Sequence, residues 1–312
     1  MVDFDGLSAF PVLIALFAGA SWILVGSDPL NVQIEQLIAA GAAESVSVAY
    51  YDLHSRRELL VNADAKYHPA STMKVAVMIE VFRQARDGRF RLDDPLPVRN
   101  DFASIADGSR FSVDADSDGD RTLYAKVGKT ESIRELIRLM IVRSSNLATN
   151  LLVELVGANR VSEQMKQIGA PDMVVMRGVE DNRAYERGLN NSTTARSLMV
   201  IMRRISEEKA VSRLESLEMV RILRAQEFNE GIPAGLPAGT QVAHKTGWIT
   251  GIYHDAAIVY PRDRKPYVLV IMTRGIQDEK RAHRLVADIS RAVFESIRND
   301  GIRKTENGNW EP

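Results

Sequence analysis

Three short motifs in this chain carry side chains that could perform acyl transfer. Residues 71–74 read STMK, residues 144–146 read SSN and residues 245–247 read KTG. The first motif supplies a serine, Ser71, and an amine, Lys74, three residues later. Free serine is a poor nucleophile and needs an adjacent base. Each motif alone arises often by chance, so the inference depends on finding all three in this order and widely spaced.

Ser71 and Lys74 would meet if a helix begins at the first motif, because positions i and i+3 lie on one helix face. A lysine serves as a base only when burial or a neighbouring cation lowers its pKa. The apolar residues 75–79 would supply the burial, and Lys245 could supply the cation. A helix N-terminus also places partial positive charge near a developing oxyanion. The alternative is that Ser71 only caps the helix and that Lys74 is a surface residue.

This motif set is the one found in class A β-lactamases and penicillin-binding proteins, and the chain resembles that family of serine hydrolases. The resemblance implies that Ser71 is acylated by a β-lactam, with Lys74 beside it. It also implies that Ser144 passes a proton to the leaving nitrogen and that Asn146 holds the substrate amide. Ser145 replaces the aspartate usual in the second motif, at a position whose side chain is mainly structural in the family. Ser144 and Ser145 could also cap the following helix, and the two interpretations are compatible.

The third motif is expected on a strand beside the nucleophile. The Lys245 amine and the Thr246 hydroxyl can bind the carboxylate that β-lactams and D-alanyl peptides share, and Gly247 leaves room for substrate against the backbone. By the resemblance, the backbone N–H groups of Ser71 and Trp248 form the oxyanion hole. Most relatives carry a smaller residue in place of Trp248, so we expect its indole to narrow the cleft.

The elements that must position these motifs follow from the apolar spacing. Strand patterns occur at both ends of the chain, and helical patterns fill the middle. The economical architecture is an α+β fold in which an antiparallel sheet flanked by helices is built from both termini, with an inserted all-helical domain. The class A family has this architecture. The predicted boundaries are residues 28–92 and 238–312 for the α/β domain and residues 93–237 for the helical domain.

The individual elements are predicted from the periodicity of their apolar residues and from the Gly, Pro, Asn and Asp residues at their ends. Strands are expected over residues 45–51, 58–61, 240–248, 256–260 and 267–273. Helices are expected over residues 31–40, 71–87, 132–142, 147–156, 158–168, 193–205, 214–225 and 278–297. The apolar residues that surround the second of these helices on all sides predict that it is buried in the middle of a domain.

The first 27 residues bear on localisation. Residues 11–26 contain no charge, a run that is short for a membrane span of about 20 residues and suits a signal-peptide core. Residues 18–20 form an A-x-A cleavage pattern, although Asp3 and Asp5 stand where positive charges are usual. We therefore predict residues 1–27 to be a signal peptide or membrane anchor and the protein to be periplasmic or secreted. A buried structural helix is the remaining alternative.

Composition excludes several classes of protein. The 40 basic and 41 acidic residues leave a net charge of -1, without the basic excess that a nucleic-acid partner requires. The absence of cysteine excludes disulfides, thiolate metal sites and a cysteine nucleophile. Asp114, Asp116 and Asp118 copy the opening of a calcium loop, but its twelfth position is Ala125. We predict a polar loop there, no metal, no organic cofactor, and a monomer whose partner is a small β-lactam.

The base that hydrolyses the acyl-enzyme is ambiguous in the sequence. In the family it is a glutamate on a loop after the helical segment, and residues 177–191 hold two candidates. Glu180 lies 36 residues after Ser144, an interval that suits the family's loop, but the family's asparagine four residues beyond the glutamate falls on Ala184. Glu186 matches the local aromatic-Glu-x-x-Leu-Asn pattern but lies late in the loop. Spacing favours Glu180, with Glu186 or no functional base as alternatives.

The predicted function is therefore β-lactam hydrolysis through a serine acyl-enzyme. Two rival functions share the motifs. A D,D-peptidase or penicillin-binding protein would lack fast deacylation, and a sensor of β-lactams or wall fragments would not hydrolyse them at all. Retention of all three motifs argues against an inert module.

We predict that Ser71 is the residue that penicillin acylates, because it begins an S-x-x-K motif at the head of an apolar helix. Mass spectrometry of the penicillin-treated protein should find the adduct on the peptide containing Ser71. The Ser71→Ala variant should remain unlabelled, and labelling that persists in it would contradict the assignment.

Overall fold

The computed structural model describes residues 28–300 of the 312-residue chain. The predicted signal peptide or anchor, residues 1–27, lies outside the described residues. Within residues 28–300, no helix combines the length and the apolar character needed to cross a bilayer.

A five-stranded antiparallel sheet forms the centre of the fold, with strand order β2–β1–β5–β4–β3. Two strands come from the N-terminal part of the chain and three from the C-terminal part, as the sequence predicted. Their bounds are β1 Ser45–Asp52, β2 Glu58–Val61, β3 Gln241–Ile249, β4 Ile252–Tyr260 and β5 Tyr267–Arg274. Two short antiparallel pairs stand apart from this sheet, Pro95–Pro97 with Thr130–Ser132 and Phe102–Ala103 with Arg110–Phe111.

Nine α-helices are found among the described residues. The first and last flank the sheet, and the others lie between β2 and β3 in the chain. Their bounds are α1 Pro29–Ala40, α2 Met73–Arg86, α3 Ile133–Val142, α4 Asn146–Val156, α5 Ala158–Gln167, α6 Asn182–Glu186, α7 Ala195–Ser206, α8 Arg213–Arg224 and α9 Glu279–Asp300.

The sheet is buried on both faces, which explains the nearly continuous apolar runs of its strands. Side chains alternate along a strand, so Val48 and Tyr50 of β1 pack into the cluster that contains α1 and α9. Ala49 and Tyr51 join the opposite cluster, which contains α2 and the helical segment. Helix α2 lies in the interior, since every side chain from residue 73 to residue 82 is buried. Its all-round apolar pattern predicted this position.

The structure confirms the predicted α+β class and differs from the sequence prediction at a few element boundaries. Helix α2 begins at Met73, after a 3-10 turn over Ala70–Thr72. Strand β4 begins at Ile252, four residues before the predicted start at residue 256. The added residues include the polar His254 and Asp255, whose side chains are buried and hydrogen-bonded. Helix α6 was predicted as loop; it is short and is capped by the Asp181 side chain.

Candidate active site

Ser71 lies in the 3-10 turn that leads into α2. The residue before it, Ala70, has a left-handed backbone with φ 46°, and its N–H donates to Nδ1 of His68 at 3.1 Å. Burial lowers the pKa of His68 to about 4, which keeps the ring neutral and able to accept. The Thr72 hydroxyl closes the turn by donating to the Pro69 carbonyl at 2.6 Å. The turn therefore presents Ser71 at the head of a buried helix.

Strand β3 passes close behind this turn. A Cβ atom built on Gly247 would lie 3.0 Å from the Pro69 oxygen and 3.1 Å from the Ser71 nitrogen. The sequence predicted that this glycine leaves room for substrate, whereas the space on its Cβ side is filled by the Ser71 turn. Contacts this short are tighter than ordinary Cβ contacts, so glycine favours the close approach of the KTG strand to the Ser71 turn.

Two buried amines meet at the hydroxyl of Ser144. The Nζ of Lys74 lies 3.2 Å from Ser144 Oγ, and the Nζ of Lys245 lies 3.1 Å from the same atom. Lys74 also donates to the Ser144 carbonyl at 2.6 Å and to Asn146 Oδ1 at 2.8 Å. Lys245 also donates to the Thr246 carbonyl at 2.9 Å. The structure thus brings residues of all three motifs into one hydrogen-bonded cluster.

The electrostatics of the cluster favour a neutral amine near neutral pH. Burial lowers the pKa of Lys74 to about 7, against the opposing effect of the Asp118 and Glu180 carboxylates. The pKa of Lys245 also lies well below its usual range, first because of burial and then because of the nearby Lys74 charge. A lysine with a pKa near 7 is available as a general base at physiological pH.

The Ser144–Asn146 turn leads into α4. Ser144 has a left-handed backbone with φ 59°, and Ser145 caps the helix by accepting from the Ala148 N–H at 3.2 Å. Asp118 also binds this helix end, through the backbone N–H groups of Asn146 and Leu147. Sequence reasoning missed this role and treated the carboxylate as part of a polar loop. The serine at position 145, where the family has an aspartate, could have prompted a search for a carboxylate supplied from elsewhere in the chain.

Glu180 is the loop carboxylate that reaches the cluster. Its Oε1 accepts from Asn146 Nδ2 at 2.7 Å and its Oε2 from the Asp114 N–H at 3.0 Å. Glu186 is exposed at the end of α6. The side chain four residues after Glu180 is the buried methyl group of Ala184, whereas Asn190 lies four residues after Glu186.

Hydrogen bonds from two side chains hold the loop that carries Glu180 in place. The buried Arg177 side chain donates to the Leu189 carbonyl at 3.0 Å and to Asn190 Oδ1 at 3.0 Å. Asn150 of α4 holds both backbone groups of Val179. A Cβ on Gly178 would lie 2.2 Å from Asn150 Oδ1, so this contact requires glycine. Arg177 and Asn150 are therefore positioning residues that the motifs did not reveal.

A cleft of about 600 Å³ opens over the cluster. Ser71, Ser144, Asn146 and Thr246 lie on its floor and walls. Trp248 also lines it, with 57% of its surface exposed. Across residues 28–300, no group of three or more His, Cys, Asp or Glu side chains is arranged to hold a metal ion.

Fold and site together define a serine hydrolase of the β-lactamase and penicillin-binding-protein type. A family model described as the β-lactamase enzyme family matches residues 29–297, and the chain belongs to that family. A β-lactamase of Citrobacter koseri is 24% identical over 91% of this chain and 95% of its own length. An ancestral class A β-lactamase structure matches with a TM-score of 0.74 at 25% identity, covering 86% of this chain and 99% of that one.

A penicillin-binding protein is also among the structural relatives. The acyl-enzyme complex of a PBP-A variant with penicillin G matches with a TM-score of 0.74 at 26% identity. The match covers 86% of this chain and 96% of that one. The predicted family and fold are thus confirmed, and the relatives include both hydrolysing and penicillin-binding members.

We expect the Lys74 amine to titrate with a midpoint near pH 7, protonated below it and neutral above it. The ¹³Cε chemical shift of Lys74, assigned by comparison with Lys74→Ala, would measure this. Glu180→Gln should lower the midpoint, because it removes a negative charge that stabilises the ammonium. The exposed Glu186→Gln change should leave it in place. A midpoint near 10 would contradict the inferred burial effect.

Proposed function

We propose that the protein hydrolyses β-lactams through an acyl-enzyme on Ser71. The observation that carries this proposal is the Ser144 hydroxyl held between the two lysine amines, directly beside the Glu180–Asn146 pair. This arrangement offers a proton acceptor for the attack, a proton donor for the leaving nitrogen and a carboxylate for the second half-reaction. A hydrolase acting on β-lactams is also what membership of the family implies.

In acylation, Ser71 Oγ would form a bond to the lactam carbonyl carbon while its proton passes to neutral Lys74. The C–N bond then breaks, and the nitrogen takes the proton of the Ser144 hydroxyl. Ser144 recovers a proton from the Lys74 ammonium, so that the amine returns to its neutral form. The 3.2 Å separation between Lys74 Nζ and Ser144 Oγ supports this transfer, since proton transfer requires groups within hydrogen-bond reach.

Substrate binding would use the remaining motif residues. Lys245 and Thr246 would bind the substrate carboxylate, because hydrogen bonds donated to an ionised carboxylate are charge-assisted. Asn146 would hold the amide of the substrate, and the N–H groups of Ser71 and Trp248 would bind the developing oxyanion. Gly247 supports this last role by letting the β3 backbone lie against the Ser71 turn.

Deacylation would use Glu180 as general base for the attacking water. The hydrogen bond from Asn146 supports this choice, since Asn146 also accepts from the Lys74 amine. Exposed Glu186 lies in α6 and makes no comparable contact. With Glu180 as base, Ala184 stands where the family supplies an asparagine, so the attacking water would lack that hydrogen-bonding partner. This observation favours a slowly deacylating penicillin-binding protein as the second candidate function.

The remaining features complete the proposal. The protein would act in the periplasm or outside the cell, as an exported monomer with a cleaved signal peptide or a retained N-terminal anchor. Residues 28–92 and 238–312 would form its α/β domain, and residues 93–237 its helical domain. The chemistry requires no metal or organic cofactor.

Purified protein mixed with a chromogenic cephalosporin tests the function directly. We expect many turnovers per molecule of enzyme, because the site offers a base for both half-reactions. A single stoichiometric burst would instead identify a penicillin-binding protein, and no colour change would identify a sensor or an inactive protein.

The deacylation base is tested by the matched pair Glu180→Gln and Glu186→Gln. An amide cannot take a proton from water, so Glu180→Gln should still acylate but release product about 100- to 10,000-fold more slowly. Mass spectrometry should find an accumulating Ser71 adduct in that variant, while Glu186→Gln should match wild type. If only Glu186→Gln stalls, the base lies six residues further along the chain.

A further inference from the structure

Asp118 is a buried carboxylate that the proposed reaction does not use directly. Its side chain is 7% exposed, and both of its oxygens accept hydrogen bonds from the start of α4. Oδ1 accepts from the Asn146 N–H and Oδ2 from the Leu147 N–H, each at 2.9 Å. Oδ2 also lies 2.8 Å from the Tyr124 hydroxyl and 3.4 Å from the Ser145 hydroxyl. Accepting at every contact is the hydrogen-bonding pattern of an ionised carboxylate.

The loop that carries Asp118 is pressed against the turn before α4. A Cβ on Gly119 would lie 2.1 Å from the Arg143 carbonyl oxygen, so only glycine permits this approach. Asp120 adds a second link, since its Oδ1 accepts from the Arg143 guanidinium at 3.1 Å. The carboxylate therefore reaches the helix end from 28 residues upstream, on a segment fixed at two further points.

The helix end that Asp118 binds carries two groups of the reactive cluster. Ser144 and Asn146 lie on either side of Ser145, and both accept from the Lys74 amine. The Ser145 hydroxyl accepts from one N–H group of this helix end, that of Ala148. Asp118 and Ser145 thus share the capping of three successive N–H groups.

The Asp118 charge also acts on the Lys74 amine. The charged groups around that amine are Asp118 and Glu180, which come from two different loops, and Lys245 of β3. The two carboxylates raise the pKa of Lys74 against the effect of burial, with the Asp118 contribution the larger. Removing the Asp118 charge should therefore lower the pH at which Lys74 becomes neutral.

We propose that Asp118 is a positioning residue for acylation. It supplies from a distant loop the carboxylate that position 145 lacks, and it holds Ser144 and Asn146 against the Lys74 amine. This inference rests on the proposed function for its catalytic meaning, whereas its structural basis is the set of contacts to α4. It predicts that a carboxylate returned to position 145 can replace the one at position 118.

The test compares Asp118→Asn with the control Asp116→Asn. Asp116 lies on the same loop but is exposed and pairs only with Arg121 at 3.5 Å. The rate of Ser71 acylation by a fluorescent penicillin is measured against pH, together with the Tm. In Asp118→Asn the new NH2 group faces an N–H or hydroxyl donor, so the maximal acylation rate should fall about 10- to 100-fold, as expected for small misplacements of reacting groups. The acid limb of the profile should move down by roughly one pH unit.

Rescue distinguishes positioning from general stability. The double variant Asp118→Asn/Ser145→Asp should recover most of the acylation rate and return the acid limb toward its wild-type position, while Asp116→Asn should match wild type throughout. A lower Tm with an unchanged rate and acid limb would mean a purely structural cap and would overturn the proposal. Absence of rescue in a folded double variant would overturn it as well.

Two further outcomes are informative. If Asp118→Asn does not fold, the double variant carries the test: folding with near-wild-type acylation supports the proposal, and folding without acylation contradicts it. If wild type itself is not acylated, the proposed function fails, and the ¹³Cε titration of Lys74 decides the Asp118 inference separately. A lower midpoint in Asp118→Asn that the double variant restores would support it, and an unchanged midpoint would overturn it.

Discussion

The need to compensate one buried amine shapes this active site. Lys74 is fully buried in the apolar interior around α2, where an unpaired polar group costs several kcal/mol, of the order of 2–7. Its acceptors all come from the Ser144–Asn146 turn, at 2.6 to 3.2 Å. The turn must therefore lie against α2, and everything that fixes the turn also fixes the reactive geometry. Burial at the same time lowers the pKa of the amine to about 7.

Three residues in or next to the cluster have a backbone conformation that L-amino acids rarely adopt. Ala70, Ser144 and Glu180 all have left-handed conformations, with φ values of 46°, 59° and 62°. Each such residue costs about 1–3 kcal/mol and persists only where the surroundings determine it. Here the surroundings are specific: the His68 ring at Ala70, the Lys74 amine at Ser144, and the Asn146 amide at Glu180. The strain lies next to the atoms that the proposed reaction uses.

The sheet contributes the second amine through close backbone approach. Strand β3 can lie against the Ser71 turn because Gly247 has no side chain, and this brings Lys245 within 3.1 Å of the Ser144 hydroxyl. Repulsion between the two amines adds to burial in lowering the pKa of Lys245. One hydroxyl between two amines can accept from one and donate to the other, so the contact serves proton movement as well as packing.

The sequence alone determined the three motifs, the α+β class and most element boundaries, because apolar periodicity and capping residues are local signals. It could not determine which loop carboxylate reaches the cluster, since intervals along the chain do not show where a loop folds back. Tertiary structure decided this through Asn150 and Arg177, which fasten the loop so that Glu180 contacts Asn146. It likewise placed Asp118 against the start of α4, because helix-end N–H groups donate to any carboxylate that packing brings within reach, whatever its distance along the chain.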